Sequence, residues 1–220
     1  MHAPRKPERI IPKHGGYENT KTWQLADLIY DVTVRFCDKY VERRSRTHDQ
    51  MVQAARSGAQ NLQEGSVDSA VSKKIEMKLT GIAKGSLAEL QRDYRKFLKH
   101  RDLPEWPPDH SALTRFKVLR CATLEQFRQW VAAETRAQTD TDGHGQTQAN
   151  TTVPVRDGPC ASVSSSSIFP SVCAANGALS LLNLCIHLID RQMQAQAAAF
   201  EKEGGFTERL YRIRSERRTA

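Results

Sequence analysis

What the chain has little of narrows it first. Its five cysteines (Cys37, Cys121, Cys160, Cys173, Cys185) include no Cys-x-x-Cys pair and form no even framework. This argues against a disulfide-stapled secreted scaffold and reads as reduced thiols in a cytoplasmic protein. The seven histidines include no Glu-x-x-His, the pairing a carboxylate-bridged di-metal bundle needs. His187 and Asp190 stand three apart and read as a polar contact between helices rather than a metal pair, so no metal and no cofactor is expected. The N-terminus, M-H-A-P-R-K-P-E-R, has no apolar core of the kind a signal peptide carries. The most apolar run, Ala178 to Ile189, is short for a membrane span and contains Ser180, Asn183 and His187. No membrane partner is expected. Internal repeats and credible strands are absent too, which leaves an all-α reading.

What is present is helical periodicity. From Thr20 or Thr22 to about Arg44, Trp23, Ala26, Ile29 or Tyr30, Thr33, Phe36 and Tyr40 form one buried stripe. The basic end of that helix, E-R-R-S-R, complements the helix dipole. Thr47 with Gln50 reads as a capping box for a second helix. In it Met51, Ala54, Ala55, Gly58, Ala59 and Leu62 make a small, apolar face that lets two backbones approach. Gly65 is expected to end this helix in a left-handed cap, with Ser66 and Ser69 capping the next. The third helix, about Asp68 to His100, has a seam of Ile75, Leu79, Ile82, Ser86, Leu90, Tyr94 and Phe97. It would be roughly 50 Å long at ~1.5 Å per residue, and needs partners of similar length.

The prolines of D-L-P-E-W-P-P stop it. Between His110 and Arg136 one or two shorter helices follow, with Leu113, Phe116, Val118, Leu119, Leu124, Phe127, Trp130 and Val131 apolar and Thr123 with Gln126 as a cap. A last helix, about Val172 to Glu203, carries Ala175, Leu179, Leu182, Ile186, Ile189, Met193, Ala197 and Phe200 at three-four spacing; Gly204 and Gly205 break it. The domain reading is a flexible basic arm at 1–21, bundle helices one to three with the short helices at 22–137, a Thr-, Ser-, Gly- and Gln-rich disordered linker at 138–171, and the last bundle helix with a basic tail at 172–220. Four long amphipathic helices with one long insertion before the last make a four-helix bundle the natural solution.

Ser57, Asn61, Leu62, Glu64 and Gly65 resemble the S-x-x-x-N-I-x-E-G signature of the four-helix-bundle proteins encoded in ribosomal RNA intervening sequences. Gly85-Ser86-Leu87-x-Glu89-Leu90 resembles that family's following G-S-L-x-E-L. The likeness is closer to a longer subgroup, the four-helix-bundle suffix-domain proteins. It is carried by D-Q-M-V-Q-A-A-R-S-G at 49–58, S-K-K-I-E-M-K-L-T at 72–80, D-Y-R-K-F-L at 93–98, D-R-Q at 190–192 and G-G-F-T-E-R at 204–209, and covers roughly 22–106 and 172–218. The superfamily includes the accessory protein of diversity-generating retroelements, a basic bundle assembled as a five-fold ring that binds nucleic acid and a reverse transcriptase. The resemblance therefore implies a non-catalytic protein, a homo-oligomer such as a pentamer, and a nucleic-acid or reverse-transcriptase partner. The signature itself reads as structural. Asn61 is expected to satisfy loop backbone groups, Glu64 to accept from Arg56 or from N–H groups opening the third helix, and Gly85 and Ser86 to allow close helix contact.

Charge is the functional clue. The chain carries 33 Lys and Arg against 25 Asp and Glu, a formal +8. On the third helix Lys73, Lys74, Lys78, Lys84, Arg92, Arg95, Lys96, Lys99 and Arg101 outnumber Glu76, Glu89 and Asp93. Arg43, Arg44 and Arg46 add to them. Such cations off the seam are candidates to track a phosphate backbone. No base-reading motif is present, so RNA is expected to be bound by shape and charge. Two other readings stand beside this one. One is an oligomeric protein-interaction module without nucleic acid. The other is a ribonuclease, because Arg95 and His100 have the Arg-x4-His spacing of HEPN-type enzymes, in which Arg stabilises phosphate charge and His moves the proton. Lys96 departs from that pattern, and a solvated basic helix end is preferred; no catalytic residue is assigned.

Overall fold

The computed structural model describes residues 16–69, 72–142 and 165–219. Residues 1–15 and 143–164, which hold most of the expected arm and the middle of the expected linker, lie outside the described residues, as does Cys160. The described residues form helices and turns and contain no strand.

The first helix, α1 (Lys21–Tyr40), starts where Thr20 accepts a hydrogen bond from the Trp23 amide. The preceding turn, Tyr17–Asn19, packs on it through Tyr17 and Trp23, so 16–21 belongs to the bundle rather than to the arm. The helix stops at Tyr40, four residues short of the expected end. Val41 is extended, and Ser45 rather than Thr47 caps α2 (Arg46–Asp68) by accepting from the His48 amide. Arg43 and Arg44 therefore sit in the connection. The expected Thr47–Gln50 box fails because a capping hydroxyl two residues upstream already serves the first turn.

Gly65 does not end α2, which runs through it to Asp68. A Cβ at Gly65 would lie 3.3 Å from both the Glu76 carbonyl oxygen and the Leu79 Cβ. The glycine permits a close crossing of α2 with α3 (Lys73–Lys99) rather than a turn. Ser72, not Ser66 or Ser69, caps α3 by accepting from the Ile75 amide.

The α3 core face also differs from the expected seam over its first half. Thr80, Ala83, Leu87, Leu90, Tyr94, Phe97 and Leu98 are buried, while Ile75 and Ile82 are 45% and 44% exposed and Leu79 is half-buried. Ile75 and Ile82 belong to an adjacent stripe of the same period. Gly58 shows how tightly α2 meets the true core face: a Cβ there would fall 2.6 Å from Leu87 Cδ2.

After the proline turn come α4 (Ser111–Leu119) and α5 (Leu124–Asp142). Thr123 caps α5 as expected, accepting from the Gln126 amide at 3.2 Å while Gln126 Oε1 accepts from the Ala122 amide at 2.8 Å. Val118 and Leu119 face outward, whereas Leu113, Phe116, Phe127 and Trp130 are buried. The longest helix, α6 (Ser165–Glu203), begins seven residues before the expected Val172 and contains Pro170. Residues 138–142 and 165–171, expected as linker, are thus helical. Gly204, at φ +71°, ends α6 as expected, but the tail beyond is a further helix, α7 (Phe206–Thr219).

Four helices make the bundle. α1 packs on α2, α2 on α3, α3 on α6 and α6 back on α1, which closes a ring of neighbours. Lys84 meets Asp190 and Gln91 meets Asn183, so α3 and α6 run antiparallel. α5 packs against α6 and α1, and α4 against α6. α6 is long and apolar enough to cross a membrane by length and composition, contrary to the reading of its apolar run as too short. Two thirds of its apolar window is buried by the bundle, the signature of a core helix.

Candidate nucleic-acid interface

The antiparallel ring divides the expected cations between two ends. Lys73, Lys74 and Lys78 open α3, and Lys99 closes it roughly 37 Å away along the axis at ~1.5 Å per residue. Lys74, Lys78, Arg92, Lys96 and Lys99 are exposed and leave α3 on the same side, spread along its length. Several are also engaged. Lys73 pairs with Glu76 at 3.3 Å, Arg92 with Glu89 at 3.9 Å and Lys96 with Asp93 at 3.9 Å. Lys84 reaches Asp190 on α6 at 2.5 Å and helps tie the two helices together. Of the His187 and Asp190 pair, Asp190 makes the expected polar contact between helices, with Lys84, while His187 is exposed.

The other end of the bundle collects cations that the sequence keeps far apart. The Phe36 ring on α1 lies edge-on to Phe97 at 4.7 Å and tilted against Tyr94 at 4.8 Å on α3, so the C-termini of α1 and α3 lie side by side. The α1–α2 connection, with Arg43 and Arg44, and the start of α2, with Arg46, share this end. Lys99 and Arg101 join them from α3, and Arg101 covers the Phe97 ring at 4.0 Å. Lys39 lies 5.2 Å from the Tyr40 ring. Arg43, Arg44, Arg46 and Lys99 are exposed and have no ion pair among the described residues. Lys99 ends α3 and Arg43 and Arg44 follow the end of α1, where the backbone dipole favours a cation, whereas Arg46 opens α2, where it does not. A groove of about 1000 Å³ opens between α1 and α5, with Arg35, Lys39, Arg128 and Arg136 but also Asp38 and Glu125 on its walls, Arg128 pairing with Glu125 at 3.3 Å, and Phe36, Tyr40 and Phe127 among its apolar lining. Phe36 and Phe127 are buried, and of these rings only Tyr40 is partly exposed.

Arg95 and His100 make no hydrogen bond with each other. Arg95 donates to Glu105 at 3.1 Å and to Gln91 at 3.3 Å. His100 is exposed and forms the C-cap of α3, its amide donating to the Lys96 carbonyl at 2.8 Å. Five residues apart, the two side chains leave the helix about 140° apart. Among the described residues no group of three His, Cys, Asp or Glu is placed to hold a metal ion. Burial pushes the thiols of Cys37, Cys173 and Cys185 up to about 12, so each stays protonated and unreactive at neutral pH.

The signature residues are part of the α2–α3 contact. Because α2 continues past Gly65, Asn61 and Glu64 lie inside a helix and not at its end. The Asn61 amide donates to the Ser57 carbonyl at 2.7 Å and approaches Ser57 Oγ at 3.1 Å. The Ser57 and Ser86 hydroxyls meet at 3.1 Å. This small polar chain crosses between the helices, in place of the loop contact expected for Asn61. Glu64 and Arg56 are exposed and make no hydrogen bond or ion pair with each other, and Gly85 has no atom within 4 Å of its Cβ direction. Gly85 therefore serves no close contact inside the protomer.

Two polar anchors had no sequence signal. Asn176, on α6 and 1% exposed, donates to the Pro104 and Val172 carbonyls and accepts from the Trp106 amide at 2.7 Å. It holds the proline turn against the bundle. Arg115 on α4 grips Glu134 on α5 through two hydrogen bonds of 2.8 and 2.6 Å, and this guanidinium holds the Glu134 carboxyl below its usual range. No protein-family model, curated protein or solved structure matches the chain.

Proposed function

We propose that this protein is a non-catalytic accessory protein that binds nucleic acid, RNA rather than DNA, in the cytoplasm, using the basic end of its bundle. The observation that carries the reading is the gathering of Arg43, Arg44, Arg46 and Lys99 at one end of the bundle, each exposed and without an ion pair among the described residues. Unpaired cations on a rigid helical frame suit phosphates spaced along a chain and read no sequence. Arg95 held by Glu105 and thiols kept protonated by burial support a binding role over a catalytic one. A protein partner such as a reverse transcriptase, and assembly into a homo-oligomer, are expected from the motif resemblance.

A salt titration with labelled single-stranded RNA tests this. Binding should weaken steeply with salt. Arg43→Gln, Arg44→Gln and Lys99→Gln together should make the slope of log affinity against log salt shallower by about 2, since each phosphate contact on a single strand contributes ~0.7. The same RNA should run intact on a gel after incubation. Cleavage that disappears in His100→Ala would replace the accessory reading with the ribonuclease, and absence of binding at low salt would leave an interaction module.

A further inference from the structure

On α3 the residues Ile75, Lys78, Ile82, Gly85, Glu89 and Arg92 alternate in steps of three and four and are all exposed. They are one stripe along the outer side of the helix, opposite its core face. The spacing is that of a helix–helix seam, yet no described residue covers it. Two features are costly if the stripe faces only water. Ile75 and Ile82 leave nearly half their surface exposed. Gly85 lowers helix propensity by ~1 kcal/mol relative to Ala, and no neighbour within 4 Å requires its small size.

The stripe is complementary to itself when reversed. Turn a second copy end for end and set Ile82 of one against Gly85 of the other. Lys78 lies four residues before Ile82, and Glu89 lies four residues after Gly85, so Lys78 then faces Glu89. Ile75 and Arg92, each seven residues out, face one another, and the Arg92 stem can lie along the Ile75 side chain. Lys74 and Asp93, each eight residues out, face one another as well. Two-fold symmetry makes every one of these pairs twice. Other registers lose the match. With Ile82 against Ile82, Ile75 meets Glu89; with Gly85 against Gly85, Lys78 meets Arg92. Among the described residues Lys74 and Lys78 have no ion pair, while Glu89 and Asp93 make only long, exposed pairs of 3.9 Å with Arg92 and Lys96 that the new contacts would share or replace.

We infer that two copies of this chain associate through the outer faces of their α3 helices, antiparallel and two-fold, with Ile82 of each seated on Gly85 of the other. Gly85 allows the two backbones to approach, and the flanking Lys–Glu pairs fix the register. The contact lies on the side of α3 and leaves Arg43, Arg44 and Arg46 at the bundle end uncovered. It stands independently of the RNA-binding proposal.

The test is sedimentation of the full chain over a range of concentrations, for the wild type, Lys78→Glu, Glu89→Lys and the two together. Both positions are exposed, so each variant should keep the wild-type helical circular dichroism. The wild type should show a concentration-dependent monomer–dimer equilibrium. Each single substitution sets like charges face to face and should weaken it about tenfold or more, and the double exchange should restore it. Gly85→Leu should abolish it. A wild type that stays monomeric, single variants that dimerise like the wild type, a double exchange that fails to rescue, or a larger ring indifferent to these changes would each overturn the inference.

Discussion

Two glycines on neighbouring helices should respond to the same substitution with opposite signs. A Cβ at Gly58 would lie 2.6 Å from Leu87 Cδ2 and 2.7 Å from its Cγ. Carbon atoms rest at about 3.5–4.0 Å, so the overlap is roughly 1 Å. Leu87 is 0% exposed and is enclosed by the core, so the whole side chain must move and not merely its tip. Overpacking of this kind costs about 1–3 kcal/mol, while Ala in place of Gly returns about 1 kcal/mol of helix propensity. Gly58→Ala should therefore destabilise by up to about 2 kcal/mol and lower the thermal midpoint by up to several degrees. Gly85→Ala meets nothing within 4 Å and should raise the midpoint of the monomer by a few degrees through propensity alone. The assay is thermal unfolding by circular dichroism at a concentration low enough to keep the chain monomeric. A Leu87→Ala background should remove the Gly58→Ala penalty, because the methyl then has room. If Gly58→Ala stabilises as much as Gly85→Ala, or if its penalty persists without the Leu87 side chain, the close α2–α3 crossing is wrong.

Asn176→Ala should cost roughly 2–4 kcal/mol, read by chemical denaturation, since it strands the buried Trp106 amide and frees the proline turn. Glu134 has a folded pKa below its unfolded value. The Arg115 pair thus stabilises above the unfolded carboxylate pKa of about 4.3 and is lost as pH falls through the folded value. Arg115→Gln should lower the midpoint at pH 7 and remove the Glu134 share of the acid-side decline; an unchanged pH profile would show that the pair contributes nothing. Thiol reagents should leave Cys37, Cys173 and Cys185 unlabelled until the chain unfolds, as peptide mapping after labelling can check.

The helices were legible because three-four periodicity and the proline and glycine stops are local signals. Their ends were less so. Ser45 and Ser72 displaced other hydroxyls as caps, and one sequence offers several acceptable caps within a few residues. Gly65 illustrates the same ambiguity: glycine suits a helix end and a close crossing equally, and only the neighbour at 3.3 Å decides. On α3 two stripes of the same period lie side by side, and the apolar Ile75 and Ile82 drew the seam to the outer one. The basic end was hidden for a different reason. Arg43 and Lys99 are remote in sequence and come to the same end of the bundle only through the antiparallel course of α1, α2 and α3. Asn176 and Trp106 are likewise 70 residues apart, beyond any local pattern.

The central claim is that one end of the bundle, rather than overall charge, holds RNA. Equilibrium binding of one labelled RNA at fixed low salt should be measured for three proteins of matched design. These are the wild type, a variant with Arg43, Arg44 and Lys99 changed to Gln, and a variant with Lys21, Lys73 and Lys202 changed to Gln at the opposite end. The two variants have the same net charge. The account predicts a loss of about tenfold or more for the first and near wild-type affinity for the second, with both folded. Equal losses in the two variants would contradict it, because they would show binding that follows net charge and not the basic end.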